Sequence, residues 1–276
     1  MRTTTKIITG IILSIFVISL TFITGFSFTD RKNYHRWNNS AVDIPQDSKT
    51  GIDTEPYRVI VLEREKHEQV QGRFYHIFAG DNCGLFLNSV TAETEKNKLF
   101  IPEVLLDFVS AKTCSDTLTV TINVEALSEK YAKGERSVIS FTGINLYLHT
   151  SRVDVVNKLL EIPTVIRNIE TDTVKVSSGG HIHIESCTAR VIKPLKSRSF
   201  KINDCKIDEL NIDLDLVTGN WNVENCTVGT ENFTGGGNHS IILTKDESKK
   251  INWIPKNKKA KLNVTLPGDT TQFVYH

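Results

Sequence analysis

The chain has 276 residues, of which 39% are hydrophobic and 24% charged, the composition of a folded globular protein rather than a disordered one. A formal net charge of +1 and an aromatic content of 8%, with no basic stripe interleaved with aromatics, give no electrostatic case for nucleic acid. The five cysteines, at 83, 114, 187, 205 and 226, have no CxxC spacing, which excludes zinc-ribbon and thioredoxin-like readings.

Ile7 to Phe28 is a run of 22 residues without a charge, flanked by Arg2 and Lys6 before and Asp30, Arg31 and Lys32 after. That length matches a helix crossing a bilayer core of roughly 30 Å. The competing reading is a cleaved signal peptide, for which Gly25-Phe26-Ser27 would serve as a cleavage site. Residues 1–29 are therefore read as a membrane anchor or signal segment, and the absence of a following cysteine argues against a lipoprotein anchor. Basic residues on the two flanks nearly balance, so charge alone does not orient the segment. The short N-terminal tail before the apolar run resembles an export signal. It places a single-pass protein in the cell membrane with its large domain on the periplasmic or extracytoplasmic side.

Residues 30–56 are rich in Asn, Ser, Pro and Gly and read as a linker. Residues 57–276 then read as a β-rich domain. Its first strand signals are Tyr57–Leu62, Leu118–Val124 and Val138–Phe141, period-two runs of Val, Ile and Thr bounded by turn residues. Two short stretches, Glu125–Lys133 and Val155–Leu160, carry a helical pattern. The expected class is all-β.

Three segments fall into register on the late cysteines: Ile182–Ala189 around Cys187, Phe200–Ile207 around Cys205, and Trp221–Val228 around Cys226. A large apolar residue stands five positions before each cysteine, and a β-branched one three before. A small or aliphatic residue stands two after. A unit of about 20 residues is one rung of a parallel β-helix, which buries its apolar face only when neighbours stack on it. The repeat predicts three interior ladders: Ile182 on Phe200 on Trp221, Ile184 on Ile202 on Val223, and the cysteines on one another. The polar step before each cysteine predicts a bend between two sheets. Leu210, Ile212, Leu214 and Leu216 supply a second strand in the middle rung, and Val174–Gly179 is a candidate rung without cysteine. The rungs are clearest over 174–235. The thiols fit an interior ladder, and oxidation of a neighbouring pair stays open.

With its apolar N-terminus, the Asp116–Ile122 strand and the succession of short strands from Val138 to Val228, the chain resembles a family of bacterial envelope proteins. These are the β-solenoid proteins of the auto-transporter adhesin head GIN domain. The resemblance covers about residues 75–245. It implies a right-handed parallel β-helix, exported, with an adhesive or structural role and no catalytic residues to carry over.

Four groups of side chains have chemistry worth weighing. His181, His183 and Glu185 share one face of a strand, and two imidazoles with a carboxylate suit a transition metal. Side chains two apart on a strand stand parallel rather than converging, so a solvated outer face is the expectation. Asp204, Asp208, Asp213 and Asp215, with Lys206 nearby, bear on a polysaccharide-lyase-like alternative that would use calcium. Cys83 with His76 is a Cys/His pair close in sequence, yet Asp81-Asn82-Cys83-Gly84 reads as a turn. Lys249, Lys250, Lys256, Lys258, Lys259 and Lys261 surround Trp253 as a basic patch, and Leu262–Leu266 follows as a capping strand. No GxSxG, HExxH, GxxxxGK or GxGxxG motif occurs. The sequence therefore points to a non-enzymatic adhesion or scaffolding module with no catalytic residue, metal or cofactor. The alternative is a glycan-binding or polysaccharide-lyase-like β-helix. The expected partners are the membrane, through residues 7–28, and an envelope glycan or protein.

Overall fold

The computed structural model describes residues 38–65, 74–79, 83–90, 93–133, 136–151, 153–160, 162–242, 248–265 and 272–275. The apolar run at 7–28 lies outside them. Among the described residues no helix is long and apolar enough to cross a membrane.

The chain is predominantly β. Its described strands start with β1 (Asn38–Asp43), β2 (Lys49–Asp53), β3 (Val59–Arg64), β4 (Phe74–Ala79) and β5 (Gly84–Asn88). β6 (Lys98–Pro102), β7 (Val109–Cys114) and β8 (Thr117–Ile122) precede the helix α1 (Val124–Tyr131). Then come β9 (Arg136–Thr142), β10 (Asn145–His149), β11 (Val153–Asn157), β12 (Thr164–Arg167) and β13 (Glu170–Ser178). The repeat region supplies β14 (His181–Glu185), β15 (Thr188–Lys196), β16 (Ser199–Asn203), β17 (Lys206–Asp213), β18 (Trp221–Glu224) and β19 (Thr227–Gly235). β20 (Asn238–Ile242), β21 (Lys250–Pro255), β22 (Lys261–Thr265) and β23 (Gln272–Tyr275) end the chain.

Two large sheets carry most of this. One has the order β23-β21-β19-β17-β15-β13-β11-β3-β8-β7, and the other β18-β16-β14-β12-β5-β10-β6-β2. Successive strands of the repeat region alternate between them: β14 joins one sheet and β15 the other, and so do β16 and β17, then β18 and β19. Pairing there is parallel and in register, with Ile182 beside Phe200, Phe200 beside Trp221, and Ala189 beside Ile207. The sheets as wholes are mixed. β10 with β6, β6 with β2, and β7 with β8 pair antiparallel, so the N-terminal part departs from the parallel β-helix expected as the fold class. The Cys114-Ser115-Asp116-Thr117 turn explains one of these, because a two-residue loop joins only antiparallel neighbours. β1 and β2 also lie inside the stretch read as linker at 30–56.

The expected ladders face the core. Ile182, Ile184, Phe200, Ile202 and Val223 are buried, as are all three late cysteines, while Trp221 is partly buried and packs on the same cluster. Each such side chain withdrawn from water contributes roughly 1.5–3 kcal/mol. Leu216, expected inside, is instead exposed. The helical pattern at Val155–Leu160 is also corrected. Val153, Val155 and Asn157 point inward from β11, which pairs in parallel with β3 on one side and β13 on the other. Two β-branched residues at inward positions between two ready ladders favour a strand there.

Between the two sheets each rung turns on one residue. Asn168, Ser186, Asp204 and Asn225 occupy equivalent positions, and all four have φ between 53° and 55°. The amides of Asn168, Ser186 and Asp204 donate to the carbonyl oxygens of Glu185, Asn203 and Glu224 in the next rung, at 3.0–3.1 Å. Left-handed backbone is costly for most L-residues, and Asn and Asp tolerate it best. Ser186 is the least suited of the four. Ser186→Val should therefore destabilise the protein by about 1–3 kcal/mol, while Ser186→Gly should not. Chemical denaturation of both variants checks this.

The cysteines complete these corners. Cys187, Cys205 and Cys226 each donate from the thiol to the carbonyl oxygen two residues back, at 3.2, 3.2 and 3.1 Å. The amides of Cys187 and Cys205 donate to the sulfur of the next cysteine at 3.4 Å. Hydrogen bonding with the Cys187 and Cys226 thiols, together with burial, pushes the Cys205 thiol up. A fully apolar residue fits the same position, since Ile169 occupies it in the preceding rung.

Candidate binding surface

The outer face carries rows of paired charge. Asp172 accepts from Arg190 at 2.7 and 3.1 Å, and that guanidinium holds the Asp172 carboxyl down at about 2. Arg167 donates to Glu185 at 2.8 Å, and Lys201 sits 3.1 Å from Glu224. These pairs link neighbouring rungs, and exposure keeps each worth little on its own.

Two rings stack on neighbouring strands of the eight-stranded sheet. Phe86 of β5 stacks on Tyr147 of β10 with centroids 5.0 Å apart. The Arg167 guanidinium lies 5.4 Å from the Phe86 centroid, and the Lys49 ammonium lies 3.9 Å from that of Tyr147. Cations thus cap both ends of the stack, an arrangement the ring quadrupoles favour.

At the corner after β17, the acidic pair singled out in the sequence converges. Lys256 donates to Asp213 at 2.6 and 2.7 Å and to Asp215 at 2.8 Å. His239 lies 2.9 Å from Asp215, and the Gly236 amide donates to the same carboxylate at 2.9 Å. Lys256, first, and the Gly236 amide and His239 after it hold the Asp215 carboxyl at about 2, against an ordinary 3.8. The stabilisation from this depression is present above the ordinary value and is lost as pH falls through about 2. Lys256→Met should move the Asp215 midpoint up toward 3.8, as read by NMR titration of its carboxyl carbon. Lys206 stands seven residues from Asp213 along one strand, roughly 23 Å away, so it takes no part. Lys256 and His239 were not legible as partners, because they reach this corner from the end of β21 and from β20.

The other sequence candidates separate. Glu185 is engaged by Arg167, and His181 meets Ser199. His183 is half-buried, and burial pushes its imidazole down. No group of three or more His, Cys, Asp or Glu side chains suited to a metal occurs among the described residues. Asp204 accepts from Asn203 at 2.7 Å. Cys83 is buried, donating to Phe141 O at 3.4 Å and accepting from the Ile144 amide at 3.3 Å. The His76 side chain lies outside the described residues, as do Asp81 and Asn82. Trp253 is buried in the core, so it does not belong to the basic patch around Lys258 and Lys259.

Three adjoining clefts run along the start of the parallel strands. The first, about 420 Å³, is bounded by Tyr57, Arg58, Lys96, Asn97, His149 and Thr150. The second, about 580 Å³, shares Arg58, Asp116 and Ser151 with it and continues past Asp154 and Lys175. The third, about 370 Å³, shares Thr171 and Asp172 with the second and reaches Arg190 and Asp208.

The molecule is thus a predominantly β protein with long parallel ladders and a polar, shallowly grooved outer face. No protein-family model and no curated protein matches its sequence. Similar solved structures include a "putative lipid binding protein" from Parabacteroides distasonis, at 10% identity and a TM-score of 0.35 over 85% of this chain and 100% of the other. A "putative adhesin" from Bacteroides fragilis has 12% identity and a TM-score of 0.41 over 85% and 99%. Another "putative adhesin", from Parabacteroides merdae, has 12% identity and a TM-score of 0.34 over the same shares. At these scores the likenesses assign no chemistry to this chain.

Proposed function

We propose that the chain is a non-catalytic, membrane-anchored module of the cell envelope that serves adhesion or scaffolding. In this reading residues 7–28 hold it in the membrane, and the parallel part winds as a right-handed β-solenoid of the GIN-domain kind on the extracytoplasmic side. The observation that supports it most is the outer face itself. Its ionic side chains are engaged in pairs between rungs, and its clefts are shallow and continuous. Such a face suits extended contact with a partner more than enclosure of a reacting molecule.

The lyase-like alternative rests on the Asp213, Asp215, His239 and Lys256 corner. There Lys256 already satisfies both carboxylates, which leaves neither oriented for a calcium ion.

The test has two arms. Protease added to intact spheroplasts of cells expressing the full chain should degrade the domain while leaving cytoplasmic markers whole. The purified full-length chain in mild detergent should bind isolated envelope material saturably. Protection from protease, or absence of binding to any envelope fraction, would overturn the proposal.

A further inference from the structure

In the later rungs every strand of the ten-stranded sheet leaves by a turn on the same side of the molecule, because β11, β13, β15, β17, β19 and β21 run parallel. These turns stack into one wall. The Gly179 amide donates to Asn157 O at 2.9 Å, and the Arg198 amide to Gly180 O at 3.2 Å. The Thr218 amide donates to Ser197 O at 3.2 Å, the Gly236 amide to Asp215 at 2.9 Å, and the Asn257 side-chain amide to Gly236 O at 2.8 Å. The wall therefore runs from Lys158 to Lys259, and five strand spacings give it a length of roughly 24 Å.

Its chemistry differs from that of the sheet faces, whose bases are paired. Leu160 and Leu216 on these turns and Ile254 near the end of β21 are 65%, 43% and 45% exposed, and no other large apolar side chain is exposed among the described residues. A single exposed leucine means little, but here all three line one side and bases stand among them. Lys158 pairs with Glu63, and Lys256 with Asp213 and Asp215. Lys196, Arg198, Lys258 and Lys259 are exposed and make no ion pair among the described residues. Even with Glu161 counted from the sequence, the wall and its partner Glu63 hold six bases against four acids.

The N-terminal part of the chain enters on the same side. In an earlier rung the connection from the ten-stranded to the eight-stranded sheet runs through β9, between β8 with α1 and β10. β1 lies beside β9 in parallel register. Residues 29–37 separate the apolar run from Asn38. A stretch of that length spans at most roughly 30 Å, which keeps this side close to any bilayer that residues 7–28 occupy.

We propose that the wall lies on the surface of that bilayer, with Leu160, Leu216 and Ile254 at the acyl boundary and the four unpaired bases on anionic headgroups. It rests on the membrane anchoring proposed above and adds the contacting face and the lipid class. Apolar side chains gain by leaving water at the interface, and bases gain from the negative potential of an anionic leaflet. Long Lys and Arg stems let their charges reach phosphates while the shorter apolar side chains enter beside them. The paired sheet faces then stay turned to solvent, open to a partner.

The test reconstitutes the full-length chain in vesicles of phosphatidylcholine alone, or of equal parts phosphatidylcholine and phosphatidylglycerol, with an NBD fluorophore on one exposed thiol. One form carries it on Cys114, which is exposed at the opposite edge, where β7 turns into β8. The other is Leu216→Cys in a Cys114→Ser background. The probe at position 216 should brighten and shift to the blue in the anionic vesicles but not in the neutral ones, and should lose the shift as salt rises. Lys196→Gln, Arg198→Gln, Lys258→Gln and Lys259→Gln combined should abolish the shift without moving the melting temperature. The Cys114 probe should not respond to lipid charge. A chain that floats with both vesicles yet shows no shift at position 216, an equal shift at Cys114, or a shift that survives the glutamine substitutions would overturn the inference and leave the anchor standing. Flotation with anionic vesicles alone, with the shift at position 216, would remove the anchor and support the wall as the attachment. Flotation with neither would overturn both.

Discussion

Phe200→Ala is expected to destabilise the protein by about 3–5 kcal/mol. Phe200 is only 2% exposed and sits in register between Ile182 and Trp221. Its ring stacks on Trp221 with centroids 5.5 Å apart and planes at 15°. Trp221 in turn meets Phe233 of the opposite sheet at 5.6 Å, so the ring bridges the two layers. Removing it leaves a void that both neighbours line but neither fills, because parallel ladders on each side fix their backbones. Phe200→Leu, which keeps most of the volume, should recover more than half of the loss. Urea denaturation of the three forms measures both differences.

Gly219→Ala should cost roughly 3 kcal/mol through a different cause. The chain between β17 and β18 presses against the preceding rung, where the Thr218 amide donates to Ser197 O at 3.2 Å. A β-carbon on Gly219 would stand 1.9 Å from the Arg198 carbonyl oxygen, a backbone atom that no rotamer change can move. The two rungs must separate to admit it, which weakens the Ser197–Val217 bridge. Gly237→Ala is the control. Its nearest neighbour would be the His239 ring at 3.5 Å, an ordinary contact, so the change should cost less than about 1 kcal/mol. Thermal melts of the two variants should therefore part clearly.

The repeat region was legible in the sequence because its signal is local and repeated. Within eight residues around each cysteine, the alternation fixes which side chains face inward and where the chain bends. Stacking identical positions then leaves few other registers. The preceding rung was harder to see, since Ile169 replaces the cysteine that marks the others. Beyond the repeat, pairing depends on long separations that leave no local trace: Leu85 pairs with Thr164, and Ile60 with Val155. The helical reading of Val155–Leu160 failed for the same reason, because the ladders that hold Val155 extended come from both sides. The surface was less legible still. Asp213 and Asp215 stood out as an acidic pair, but Lys256 arrives from 43 residues beyond Asp213. The first cleft draws on separate chain segments, none of which carries a motif.

The repeat region is held by the core between its parallel strands, and the most direct test of that core is thiol labelling of the native protein with residue-level mass spectrometry. Cys114 is exposed, whereas Cys83, Cys187, Cys205 and Cys226 are buried thiols outside any disulfide. Under native conditions Cys114 should react fast. The three ladder cysteines should stay protected and become reactive together, with the same dependence on denaturant as global unfolding. Rapid native labelling of Cys187, Cys205 and Cys226 would contradict a buried column, because it would place the three thiols on the surface instead of between the sheets.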